Sequence, residues 1–353
     1  MSTDNLKKLK ILILGVAGIT ILLGAAYLLI FWNRPLNPAL ELPDNTPQLN
    51  PETETPLVED GINPHPEDTA TPTIEPVCGG PPTMTVVISG VASSDYLYGL
   101  ADAIRVARID FQTQEVTVLA LPRDLWVEIP GLESRGITVG KLNQAYFYGT
   151  EGMGYYSGAG YGAGLLAETL LSNYGFRVDH YLSVNLSSFR VIINTLGGID
   201  VYLPQDVYKR IDDQPKLYLK AGSHHLNGKQ AEMLARQRIS IGDFGRINHQ
   251  TIILKAVAAK LFSPSGIAAL PDLVNQLKSN VETDFSPAEI TQLICLTGMI
   301  DFQEDVTFVT LPEETMVEQW VFDPTRAINT SALVGDDGKI RNVVGDFQEG
   351  IWP

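Results

Sequence analysis

The feature that most restricts what this chain can become is the nearly unbroken apolar run from Ile11 to Trp32. It is long enough to cross a bilayer as a helix, so the folded part must be built from the residues C-terminal to it. Lys7, Lys8 and Lys10 precede the run and only Arg34 comes closely after it. That asymmetry predicts a cytoplasmic N-terminus over residues 1–10, a single transmembrane helix over 11–32, and everything else outside the cell membrane. A cleavable signal peptide, with Ala25 and Ala26 as the small residues, is the alternative; the run is long for a signal core, which favours an uncleaved anchor. Residues 33–77 are rich in Pro, Thr, Glu and Asp, a composition that cannot bury a core and predicts a disordered extracytoplasmic stalk. Cys78 and Cys295 are the only cysteines. Outside the cytoplasm a disulfide between them is allowed, and their spacing leaves open whether they meet.

The remainder predicts an α/β fold with a mixed central sheet flanked by helices, over residues 78–320. Thr83 to Gly90, Ala103 to Ile109 and Glu115 to Leu121 have buried-strand patterns, with Asp95 and Asp102 in the loop between the first two. Arg123-Asp124 comes directly after the third strand, at the kind of strand end where α/β sheets bind ligands. The Gly- and Tyr-rich run from Gly149 to Gly164 matches neither common nucleotide-binding glycine pattern and reads as a mobile loop. Helices are expected over Leu165 to Asn173, Leu186 to Leu196, Leu273 to Leu277 and Pro287 to Leu296, and strands over Tyr181 to Val184, Ile199 to Leu203 and Val306 to Leu311. Residues 321–353 read as a C-terminal tail of scattered turns, with Asp336-Asp337-Gly338 as one of them.

Within an acidic chain of net charge -16, the segment Leu226 to Gln250 concentrates Arg236, Arg238 and Arg246. Planar guanidinium forks suit phosphate oxygens. Asn227 is a helix cap, and the strong helix formers after it carry a helix to about Arg236. Arg236 and Arg238 converge only if that helix stops there. Asp243 would cap a second helix with Arg246, His249 and Gln250 on one face, placing Arg246 beside first-turn amides that favour an anion.

The motifs GVASSD…ADAIRV, LPRDLWVEIPG, KLNQAY, DHYLSVNLSSF, NTLGGIDVYLP, GSHHLNGKQAEMLARQR and DFGRINHQ occur in this order between Thr83 and Leu261. Their sequence resembles that of the LytR-CpsA-Psr family of membrane-anchored cell-wall proteins. The resemblance implies a magnesium-dependent phosphotransferase that moves a glycan polymer from a polyprenyl pyrophosphate carrier to a peptidoglycan hydroxyl. It implies a long apolar pocket between sheet and helices for the prenyl tail. Carried onto this chain, the head-group residues are Arg123, Arg236, Arg238, Arg246 and Gln250, with Lys141 and Asn143 binding substrate and Asp102 and Asp95 binding Mg2+. Two positions depart from the pattern. Val91 and Ala92 come after Gly90 where an aspartate is usual two residues on, so Asp95 serves only after a loop shift. His249 replaces a common arginine, removing a permanent charge unless it is protonated. A polyprenyl pyrophosphate hydrolase and a noncatalytic lipid- or wall-binding scaffold are the other classes compatible with these residues; the acidic balance argues against nucleic acid.

Overall fold

A computed structural model describes residues 31–43, 75–239, 242–266, 268–269, 271–273 and 281–352. Except for Phe31 and Trp32 the expected transmembrane helix lies outside these residues, as do residues 1–10 and most of the expected stalk. Among the described residues no helix is long and apolar enough to cross a membrane.

The apolar strand patterns become a six-stranded mixed sheet of order β11-β6-β1-β2-β3-β12. It comprises β1 (Thr83–Val91), β2 (Ala101–Asp110), β3 (Glu115–Leu121), β6 (His180–Asn185), β11 (Val281–Thr283) and β12 (Val306–Thr310). β1 pairs antiparallel with β2 and parallel with β6. Alternate side chains of β1 point to opposite faces, so Val87 and Val91 enter one core while Met84 and Val86 enter the other. Both faces are therefore covered, which is why these strands read as continuous apolar runs. Asp102 lies within β2, not in the preceding loop.

The first core packs the sheet against α1 (Leu142–Gly149) and α2 (Tyr161–Tyr174). The glycine run expected to be a mobile loop is instead where these helices touch. A Cβ on Gly162 would lie 2.8 Å from the Tyr146 carbonyl oxygen, and one on Gly149 would lie 2.8 Å from the Tyr161 carbonyl oxygen. Glycine is required there by backbone approach, not for mobility. The opposite core includes Phe285 and Leu296, the latter on α6 (Pro287–Thr297), and the Cys78–Cys295 disulfide fastens the start of the domain to this helix. A smaller core joins α3 (Leu186–Thr195), α4 (Gly228–Ala235) and α5 (Gly242–Leu261) to β7 (Ile199–Leu203) and β10 (Gly222–Leu226). Between β7 and β10 stands an exposed hairpin of β8 (Val207–Ile211) and β9 (Gln214–Leu219).

Two boundaries differ from the sequence expectation. Residues 321–353 are not a tail. β13 (Met316–Asp323) and β14 (Ile328–Gly335) join β4 (Leu125–Glu128) and β5 (Val139–Lys141) in a second sheet of order β13-β14-β4-β5. Asp336 then caps α7 (Asp337–Glu349) by accepting a bond from Lys339 N at 3.2 Å, and α7 buries Ile340, Val344 and Phe347 in the first core. The start of the expected stalk is likewise docked. Leu36 N donates to Phe285 O at 3.1 Å and Leu40 N to Asp284 Oδ2 at 3.2 Å, while Leu40 and Leu42 pack on the first core. The expected helix over Leu273 to Leu277 lies outside the described residues beyond Leu273.

Candidate functional site

The site forms where β2, the turn after β3, and the facing ends of α4 and α5 meet. The α4 helix starts with the expected cap: Asn227 Oδ1 accepts from Gln230 N at 3.0 Å, and Gln230 Oε1 accepts from Asn227 N at 3.0 Å. It stops at Ala235 with Arg236 as its C-cap, and the chain leaves the helix before Arg238, the break that those two arginines require. The α5 helix begins at Gly242 with Asp243 in its first turn. Asp243 serves as an ion-pair partner: its Oδ1 lies 2.6 Å from Arg246 Nη2 and 3.4 Å from Arg123 Nε.

Arg123 is the hub. Its Nη1 lies 2.5 Å from Asp102 Oδ1, and its Nε lies 3.3 Å from Asp124 Oδ2. Asp102 also faces Arg238 Nη2 at 3.7 Å and accepts from Asn143 Nδ2 at 3.5 Å. Lys141 Nζ bonds Asp124 Oδ1 at 2.8 Å. Gln250 Nε2 donates to the Asp102 carbonyl at 3.3 Å and to the Ala235 carbonyl at 3.4 Å, so one amide ties β2, α4 and α5 together. Arg123, Arg238, Arg246, Gln250, Lys141, Asn143 and Asp102 thus gather as the sequence implied.

Arg105 was not anticipated. It is 2% exposed, and its guanidinium donates to the Ile104 carbonyl at 3.0 Å, the Ile247 carbonyl at 3.4 Å and Gln250 Oε1 at 3.3 Å. The available signal was a lone cation inside the apolar strand ADAIRV, where burial demands partners. Counting Arg105, Arg123, Lys141, Arg238 and Arg246 against Asp102, Asp124 and Asp243 leaves five positive groups, three negative ones and an excess of two.

Titration is governed by this crowding. Burial disfavours the Arg123 charge, but Asp102 and Asp124 outweigh it and raise its pKa. Arg246 is pulled down to about 10, first by burial and then by Arg123 and Arg238, with Asp243 opposing. Burial would raise Asp124, yet Arg123 and Lys141 hold it below the usual carboxylate range. Burial also lowers His249, whose Nδ1 has no hydrogen-bond partner, so near neutral pH it is uncharged and does not replace an arginine's charge.

Two expected residues stand apart. Arg236 is exposed and bonds Glu232 Oε1 at 3.1 Å, and Glu232 is also held by Arg190 at 2.9 Å. An i,i+4 partner on its own helix draws the Arg236 head group back along α4. Asp95 turns its carboxylate onto its own loop, accepting from Leu97 N at 3.1 Å. Among the described residues no group of three or more His, Cys, Asp or Glu side chains is gathered to hold a metal. Asp102 and the buried, unpartnered Asn143 Oδ1 nonetheless supply hard oxygen donors of the kind Mg2+ accepts when phosphates and water complete its shell. On this chemistry Asp102 fits a magnesium ligand and Asp95, as placed, does not.

Arg123, Asp124, Lys141 and Asn143 form the polar end of a cleft of about 810 Å3 whose other walls include Phe147, Tyr148, Met153 and Tyr155. Thr325 and Arg326, at the β13–β14 turn, also line it. This cleft runs beside α1 and beneath that turn; Arg236 and Arg238 line a different pocket. The arginines that line the aromatic-walled cleft are thus Arg123, Arg135 and Arg326, and not Arg236 or Arg238.

Fold and site together define a mixed α/β domain with a buried arginine cluster at the mouth of an aromatic-walled cleft. The LytR_cpsA_psr family model matches residues 82–333, and the chain belongs to that family. The teichoic acid transferase TagV of Bacillus subtilis (strain 168), named as a polyisoprenyl-teichoic acid–peptidoglycan enzyme, is 32% identical over 195 residues, 54% of this chain and 46% of TagV. The match thus spans less than half the length of that curated relative. The regulatory protein MsrR of Staphylococcus aureus (strain COL) is 26% identical over 267 residues, 75% of this chain and 74% of its own. The crystal structure of B. subtilis TagV superposes with a TM-score of 0.61 at 25% identity, covering 76% of this chain and 97% of that one. A structure of TagT bound to LIIa-WTA shares the fold, with a TM-score of 0.57 at 19% identity, covering 78% and 96%.

Proposed function

We propose that this chain is a membrane-anchored phosphotransferase, N-terminus in the cytoplasm, that moves a glycan polymer from a polyprenyl pyrophosphate carrier to a peptidoglycan hydroxyl outside the cell. The observation that carries this reading is the arginine cluster with its excess of two positive charges, which reaches the cleft through Arg123 and Lys141. A diphosphate substituted at both ends carries two ionised oxygens, one per phosphorus, and would neutralise that excess. The aromatic walls offer apolar surface for the first units of the prenyl tail. The relative TagV, named as a polyisoprenyl-teichoic acid–peptidoglycan teichoic acid transferase, supports transfer of this kind.

In the reaction the acceptor hydroxyl oxygen bonds to the phosphorus attached to the glycan, the bond from that phosphorus to the bridging oxygen of polyprenyl phosphate breaks, and the hydroxyl proton passes to solvent or to the released phosphate. Phosphoryl transfer of this kind rests on positioning and charge neutralisation. Arg123, Arg238 and Arg246 would exchange their carboxylate partners for phosphate oxygens and stabilise the leaving group. Lys141 and Asn143 would orient the head group, with Gln250 holding α5 against β2. Asp124, kept strongly ionised by its cationic neighbours, orients Arg123 and Lys141 in preference to accepting a proton. Mg2+, if held by Asp102, would supply Lewis-acid stabilisation of the charge that builds on the leaving group.

The test uses the full chain in detergent with magnesium, a polyprenyl pyrophosphate-linked oligosaccharide and peptidoglycan fragments. A glycan–peptidoglycan phosphodiester is expected with the native protein, and at least a hundredfold less with Arg123→Ala, on the order of what removing one transition-state donor costs. Release of free phosphorylated glycan without the joined product would make the protein a hydrolase; full turnover by Arg123→Ala would remove the site.

A further inference from the structure

The strand β13 presents an aromatic surface that the arginine cluster does not use. Met316, Glu318, Trp320 and Phe322 alternate onto one side of it. Met316 enters the first core, whereas Trp320 and Phe322 stand beyond the core's edge, both exposed. Ser331 and Asn329 on β14 are their direct cross-strand partners and share that side. Ser331 Oγ donates to Glu318 Oε1 at 2.5 Å, so a polar rim borders the indole. The two aromatic residues are roughly 7 Å apart along the strand, short enough for one chain of sugar rings to lie on both. The same strand leads to the cleft. Asp323, buried at its end, accepts from Arg326 N at 3.0 Å, Arg326 Nε at 2.7 Å and Gln144 Nε2 at 3.3 Å. These bonds hold the turn carrying Thr325 and Arg326 against α1, where both residues line the aromatic-walled cleft. Trp320 is about 10 Å from the start of that turn along the strand.

Large apolar side chains left this exposed on an edge strand mark a surface that a partner covers. A hexopyranose has a face of C–H bonds and a rim of hydroxyls, so the aromatic rings take the first while Glu318, Asn329 and Ser331 hydrogen-bond the second. We propose that Trp320 and Phe322 form a binding platform for the acceptor glycan, seating its sugar rings so that the chain passes over the β13–β14 turn into the cleft. This rests on the transferase reading and deepens it, giving the acceptor a surface of its own, apart from the arginines that take the donor's diphosphate. A bilayer surface fits less well, because β13 and β14 carry Glu318 and Asp323 and no Lys or Arg, whereas interfacial anchors are basic on their polar face. A second copy of this chain, pairing along the outer edge of β13, is the competing occupant. The glycan is favoured because the rings are bordered by polar groups and their strand is continuous with a turn that lines the cleft.

The experiment measures transfer by the full chain in detergent from one polyprenyl pyrophosphate-linked donor to two acceptors, with concentrations counted per disaccharide. One acceptor is a peptide-free glycan strand several disaccharides long; the other is a single disaccharide, which cannot fill the cleft and the platform at once. The native protein should show a KM about tenfold lower for the strand, the size expected of two exposed stacking contacts. Trp320→Ser/Phe322→Ser should raise the KM for the strand about tenfold with kcat unchanged, the mark of lost binding without lost chemistry. It should use the disaccharide with native kcat and KM, which also reports that the fold is intact. Equal KM values for the two acceptors in the native protein, or an advantage of the strand that survives in the variant, overturn the platform. A native dimer that the variant dissociates while the strand keeps its advantage overturns it in favour of a second copy. If the native protein turns over neither acceptor, the transferase reading has failed on its own. Calorimetric binding of the strand then decides the platform: about tenfold weaker binding by the variant supports it, and equal binding, or none by the native protein, overturns it.

Discussion

Arg105 offers the sharpest separation of site from scaffold. Replacing it with methionine keeps most of the buried volume and removes the charge and all three donated hydrogen bonds. Burial holds its pKa down to about 10 from 12.5, with Arg246 adding to the effect, so the ionised form bears a penalty on the order of 3 kcal/mol. Against this, three hydrogen bonds at roughly 1 kcal/mol each are lost. The Ile247 carbonyl keeps Thr251 Oγ1 as a donor at 2.9 Å, so the orphaned acceptor is mainly Gln250 Oε1. The two contributions nearly cancel. Arg105→Met should shift the melting temperature by less than about 4 °C in either direction. The site should suffer far more. Gln250 loses the partner that fixes its amide across β2, α4 and α5, and the positive excess falls from two to one. Binding of inorganic pyrophosphate, measured calorimetrically in the full chain, should weaken by about thirtyfold, roughly 2 kcal/mol. Arg105→Lys, which restores charge without the planar fork, should recover only part of that loss. A melting point lowered by more than about 10 °C with unchanged pyrophosphate binding would refute the reasoning, because Arg105 would then be a scaffold residue alone.

Removing the Cys78–Cys295 disulfide by a double serine substitution opens a closure with a sequence separation of 217. The chain-entropy model assigns such a loop about 5 kcal/mol, and denaturant unfolding under oxidising conditions should show a loss of several kcal/mol; an unchanged midpoint would mean the unfolded chain is already restrained there. The docked segment of residues 36–43 should loosen as pH rises. Burial would lower His180, but Asp284 and Glu289 raise its pKa, so its contribution is full below the unfolded value and is lost as pH climbs through the folded one. Glu282 is raised to about 7 from 4.5 by burial and then by Glu151, so the native state favours its neutral form and loses stability over the same climb. Amide hydrogen exchange at Leu36 and Leu40, corrected for intrinsic rate, should speed up between about pH 5 and pH 8; protection that grows with pH would reverse both signs.

How much of the fold was legible depended on which way the apolar residues face. β1, β2 and β3 are covered on both sides, so their runs of Val, Ile and Leu announced them. The α4 helix was legible through Asn227 and Gln230, whose chemistry is local. β13 was not, because it turns Trp320 and Phe322 outward at 78% and 60% exposure, so its apolar side chains do not mark a buried face. Asp336-Asp337-Gly338 carries the same residues as a turn and as a helix start, and only packing of Ile340 and Phe347 decides between them. The motif resemblance located most of the arginine cluster. It did not show that Glu232 draws Arg236 aside or that Arg105 supports Gln250, since both depend on partners placed by the fold.

The carboxylates of the cluster bear on selectivity as well as stability. Without Asp102, Asp124 and Asp243 the buried guanidiniums of Arg123 and Arg246 would repel one another, and burial already pulls Arg246 down to about 10. The aspartates hold the forks in place before substrate arrives, so an incoming anion exchanges partners and does not simply add charge. A monoanion would have to displace a carboxylate with no net electrostatic gain. A diphosphate spans two forks, leaves the aspartates free to orient Lys141 and bind a cation, and neutralises the excess of two. A diphosphate esterified at both ends, which carries two charges, should therefore outcompete a simple monoanion such as acetate by far more than one added charge would give, and neutralising one acid as Asp243→Asn should narrow that gap by admitting the monoanion. Competition calorimetry in the full chain measures both, and an unchanged ratio would mean that the aspartates only offset repulsion and take no part in selection.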